Sequence, residues 1–149
     1  MRQVYIFTNI DEHTEKQLTR VNQLIDLNET KIHLIHYLNL VNYSYPGDMI
    51  VPFYPNDNQI AKTVKQLNDQ LQKYKSAFPN LKDENFQAVV QGSNSAKRDA
   101  IKLLEGQKTQ LAVCITPKKG TIENFFHSSF TDHLAAYAPC DVLMLRQLS

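Results

Sequence analysis

Apolar residues along this chain recur with two alternating periods. Val4-Tyr5-Ile6-Phe7 and Ile32-His33-Leu34-Ile35-His36 are short runs rich in β-branched and aromatic residues, and read as strands. Between them, Leu18, Val21, Leu24 and Ile25 fall on one face of a helix over residues 12–27, with Asp11 or Thr14 placed to cap its start. Further on, Ile60, Val64, Leu67, Leu71 and Tyr74 step by four, three, four and three. That spacing predicts a long amphipathic helix ending near Phe78-Pro79, because proline cannot continue a helix.

Residues 86–91 read as a third strand, followed by Gly92 and a Ser93-Asn94-Ser95 turn and cap. Residues 96–105 form a helix closed by Gly106, and residues 110–115 a fourth strand. Residues 124–137 carry Phe126, Phe130 and Leu134 on one helical face, Pro139 stops that helix, and residues 141–145 make a fifth strand. Strand and helix alternate from end to end. The expected fold is therefore α/β, a Rossmann-like open parallel sheet of five strands with helices on both faces, three layers in all. The last strand, DVLMLR, is nearly all apolar, as a strand buried on both faces would be.

Residues 38–58 break the rhythm. They hold Pro46-Gly47, Pro52, Pro55 and several Asn and Tyr residues, and read as one long loop. Tyr43, Tyr45, Phe53 and Tyr54 within it either pack the loop onto the sheet edge or cover a ligand or partner surface.

Length and charge narrow the function. The chain has 149 residues, which fits one domain over residues 1–149 with a real core. Net charge is +1 and no basic cluster exceeds two residues, as at Lys118-Lys119, so no basic face for nucleic acid is expected. No window approaches the roughly 20 apolar residues of a membrane span, and MRQVYIFTNI lacks the apolar segment and cleavage site of a signal peptide. A cytoplasmic protein with no membrane association is expected.

In open parallel sheets, ligands bind beyond the carboxyl ends of the strands, where the strand order reverses. Thr8-Asn9-Ile10, His36-Tyr37 and residues 115–120 all map to that edge. The last of these belongs to TPKKGTIENFFHSSFTDHL, a turn and helix start following the apolar run QLAVCI. Strand, turn and helix N-terminus is a common phosphate site, but it usually needs several glycines, and this turn has Gly120 alone, beside Lys118 and Lys119. The two lysines are either a solvated loop or anion-holding groups. Ser128 and Ser129 are either surface or capping residues, or surviving phosphate contacts, Ser129 being the better candidate.

Other chemistries find little support. Cys114 and Cys140 fall at opposite ends of neighbouring strands, too far apart for a bridge, and two buried thiols are expected. The five histidines are His13, His33, His36, His127 and His133. His33 and His36 point to opposite faces of a strand, His127 and His133 do not share a helical face, and no HExxH or CxxC spacing occurs, so no metal is expected. No G-x-S-x-G elbow is present, and Asp132 and His133 are adjacent on a helix and do not face each other.

LAVCITPKKG, a helix and then YAPCDVLMLR resemble the end of a universal stress protein of the UspA type, and VVQGSNSAKRDAIKLL resembles that family's strand, glycine turn and third helix. The resemblance covers nearly the whole chain. It implies a sheet in the order 3-2-1-4-5, of the kind also described as adenine nucleotide alpha hydrolase-like. It also implies a homodimer paired through the last strands, which would place Val142, Leu143, Met144 and Leu145 at the interface. Many members bind ATP through a glycine, two residues, a second glycine, nine residues, then Gly-Ser or Gly-Thr. Here those glycines fall on Ile115, Lys118 and Ser128, with Ser129 matching the final hydroxyl, and the acid that often follows the first strand is Asn9. A branched side chain at Ile115 blocks close backbone approach, and Pro117 removes an N–H donor.

The expected protein is therefore a non-catalytic, homodimeric stress-response protein that acts through unknown protein partners and does not bind ATP in the usual mode, with no cofactor. The alternative is a sensor that binds ATP, AMP or another small anion at an altered strand edge built from Asn9, His36, Cys114, Ile115, Lys118, Lys119, Gly120, Ser128 and Ser129. ATP hydrolysis is the remaining possibility. If the site is closed, Ile115 and Phe125-Phe126 should fill it; if it binds, it should be open.

Overall fold

The computed structural model describes residues 1–40, 42–43, 52–53, 57–116 and 122–146, with side chains for residues 1–40, 57–115 and 130–146. The elements run β1 (Arg2–Phe7), α1 (Thr14–Leu24), β2 (Thr30–Asn39), β3 (Asn42–Tyr43), β4 (Pro52–Phe53), α2 (Asp57–Gln72), β5 (Phe86–Ser93), α3 (Ala96–Glu105), β6 (Leu111–Thr116), α4 (Ile122–Tyr137) and β7 (Asp141–Arg146). Five strands form one parallel sheet in the order β5-β2-β1-β6-β7, which is the expected 3-2-1-4-5 when the parallel strands alone are counted.

The order places the helices. From β1 the chain steps outward through α1 to β2 and through α2 to β5, then returns across the sheet to β6 and steps the other way to β7. Crossovers share one hand, so reversing direction moves the later helices to the opposite face. Two cores follow. Val4, Ile6, Ile32 and Leu34 pack with Leu18 and Val21 of α1, Leu71 of α2 and Phe78. Tyr5, Phe7, Ile35, Ala112 and Cys114 pack with Ala100 and Leu104 of α3 and Leu134 of α4. β1 feeds alternate residues to both cores, and its Val4, Tyr5, Ile6 and Phe7 are all buried, as befits the central strand.

Three expectations need correction. Residues 38–58 are not one loop: β2 runs on to Asn39, β3 and β4 pair antiparallel, and α2 begins at Asp57. The extension of β2 is held by β5, whose Gly92 and Ser93 sit level with Leu38 and Asn39. A Cβ on Gly92 would come within 2.8 Å of the Leu40 side chain, which packs over the glycine and would have to turn aside. Second, α1 ends at Leu24 rather than near residue 27. Beyond it, Asp26 accepts the Asn28 N–H, and the Arg2 guanidinium donates to the Asp26 carbonyl and to the Thr30 hydroxyl, drawing the chain into β2.

Third, β7 is an edge strand rather than one buried on both faces. Of its side chains only Leu145 is buried, while Met144 is 52% exposed. The other edge, β5, is guarded: Gln72 at the end of α2 donates its side-chain amide to the Ala88 carbonyl, filling one edge acceptor.

The cysteines are both free; Cys114 is buried and Cys140 only partly so. Burial, with the neighbouring Cys140, pushes the Cys114 thiol up to about 12. No described helix is long and apolar enough to cross a membrane.

Candidate functional site

The sheet's carboxyl edge is stepped where the strand order reverses. β1 stops at Phe7, its last ladder bond running from the Thr8 N–H to the Ile35 carbonyl, while β2 continues to Asn39. The step leaves a cavity of about 440 Å³, within the range of small-molecule sites. Phe7 at the end of β1 and the following Thr8 and Asn9 line it on one side, with Ile35, Tyr37 and Asn39 from β2. Ser93, Asn94 and Ala96 come from the β5–α3 turn, Ile115 from β6, and Phe130 and Thr131 from α4.

One wall is aromatic. The Phe7 and Tyr37 rings are 6.1 Å apart and 13° from parallel, and Phe130 meets Phe7 edge-on at 5.6 Å. Phe7, 4% exposed, is thus packed between Tyr37 and Phe130. The opposite side is a polar turn. The Ser93 hydroxyl donates to Asp99 Oδ2 at 2.5 Å and accepts the Ser95 N–H at 3.1 Å. Ser95 occupies the N-cap position of α3 as expected, but its own side chain makes no cap bond. Ser93, two residues earlier and buried, instead fixes the turn that leads into the helix.

Thr8 and Asn9 are fixed from below. The Asn9 carbonyl accepts hydroxyl bonds from Thr14 at 2.7 Å and from Thr8 at 3.0 Å, which ties the end of β1 to the first turn of α1. Asp11 accepts the His13 N–H, so Asp11 and Thr14 both serve the start of that helix.

Tyr37 stands apart. Its hydroxyl is buried and finds no hydrogen-bond partner among the described residues. Burial, then the Asp99 charge, raises its pKa, so the phenol keeps its proton.

Of the residues expected at this site, Asn9 and Ile115 line the cavity. His36 lies on the same strand but not among the lining residues; alternation turns it from the face of Ile35 and Tyr37, and its Nδ1 lies 2.9 Å from the Thr8 carbonyl oxygen. Cys114 is sealed in the core beneath, 1% exposed. Lys118, Lys119 and Gly120 lie outside the described residues, as do the side chains of Phe125, Phe126, Ser128 and Ser129. Tyr37, mapped to this edge by its chain position, lines the cavity too, whereas Ser93, Phe130 and Thr131 were not among the expected site residues. Among the described residues, no three His, Cys, Asp or Glu side chains gather as a metal site.

An open parallel sheet in this strand order, with a cavity at its switch point, is a Rossmann-like α/β domain. No protein-family profile matches the chain, and no curated protein does. Solved structures do. A universal stress protein in complex with cAMP matches over 99% of this chain and 98% of its own, at 15% identity and a TM-score of 0.60. UspA from Lactobacillus plantarum matches over 97% of both chains at 11% identity and a TM-score of 0.64. A universal stress protein from Archaeoglobus fulgidus in complex with dAMP matches over 97% and 96% at 12% identity and a TM-score of 0.57. The chain has the universal stress protein fold along its whole length, which bears out at the level of the fold the resemblance carried by LAVCITPKKG and YAPCDVLMLR.

Proposed function

We propose that this is a non-catalytic stress-response protein of the UspA type that binds a small, nucleoside-sized ligand at the strand edge without the standard glycine motif. The carrying observation is the cavity of about 440 Å³ at the switch point. Ile115 stands on its wall rather than filling it, which favours the ligand-binding reading over a closed site. Proteins of the same fold are known in complex with cAMP and dAMP, which makes adenine nucleosides and nucleotides the first ligands to try. The missing glycines argue against ATP held in the usual way, since Ile115 carries a side chain where a bare backbone would meet phosphate.

The protein acts as a homodimer paired through β7. Met144, 52% exposed on an edge strand beside Val142 and Leu143, is apolar surface that a second copy would cover. Leu145 belongs to the chain's own core and contributes only its backbone.

The test is a thermal-shift titration with ATP, AMP, cAMP and adenosine, with and without magnesium. Binding to the folded state alone stabilises by about 2.7 kcal/mol at a hundredfold excess over the dissociation constant. A saturable rise in midpoint with adenosine or AMP, and a weak one with ATP, is expected. No rise with any of them would return the function to protein partners.

A further inference from the structure

We draw no further inference here: the strongest candidate, the solvent face of α3 on which Lys97, Arg98 and Lys102 are exposed, rests on charge alone, and nothing in the structure shows what covers it.

Discussion

The Ser93 hydroxyl donates to Asp99 at 2.5 Å while accepting the Ser95 N–H at 3.1 Å, so one buried side chain closes the turn between β5 and α3 and forms part of the cavity wall. Ser93→Ala leaves an amide and a half-buried carboxylate each short of a bond. A loss of about 1–3 kcal/mol in urea unfolding is expected, at the scale of a lost cap plus an unsatisfied group. Ser95→Ala, whose side chain makes no cap bond, should cost far less.

Acid should weaken the protein partly through His33. Its ring stacks on Tyr5 at 4.3 Å, and its Nε2 lies 2.7 Å from Gln3 Oε1. Burial, then the Lys31 charge, lowers its pKa below the ordinary 6.5, against a smaller opposing effect of Gln87. The unfolded chain therefore takes up the proton first. The contribution is intact above the ordinary value and is lost as pH falls through it toward the folded one. Urea unfolding at pH 7 and pH 5 should show His33→Phe losing less stability between the two than the wild type does.

Gly92 is needed for close approach of the Leu40 side chain, which a Cβ would meet at 2.8 Å. Gly92→Val should destabilise by about 1–3 kcal/mol, since overpacking must push Leu40 aside. Gly106, whose Cβ would meet nothing closer than 3.5 Å, should accept alanine with little change. Thermal unfolding of the two variants makes the comparison.

If β7 pairs with its copy, Met144→Lys should break the assembly without unfolding the chain, because charge on an edge strand opposes edge pairing and Met144 is 52% exposed. Light scattering after size exclusion is expected to give a dimer for the wild type and a monomer for the variant. A wild type that is monomeric at high concentration would refute the dimer.

Much of the fold was legible because its signals are local. The β-branched runs at Val4 and Ile32 and the helical steps from Ile60 to Tyr74 each lie within one element, and the alternation of elements leaves few topologies. What escaped depends on neighbours. β2 reaches Asn39 paired with Gly92 and Ser93 across the ladder, a partnership that residues 37–39 do not signal by themselves. The composition of DVLMLR pointed to a strand buried on both faces, whereas the strand order implied by the resemblance, and found, puts it at an edge. The site was legible as an edge but not as a list: Asn9, Tyr37 and Ile115 were placed there by chain position, whereas Ser93 matters through hydrogen bonds to Asp99 and Ser95 that have no sequence signal.

The central claim is that a small ligand binds at the carboxyl edge of β1, β2 and β6. The most direct measurement is a titration of the isotope-labelled protein with adenosine, followed by amide NMR. Shifts that saturate together and cluster at Thr8, Asn9, Tyr37, Ser93 and Ile115 are the predicted result. Shifts confined to another face, or none at millimolar adenosine and AMP, would contradict it.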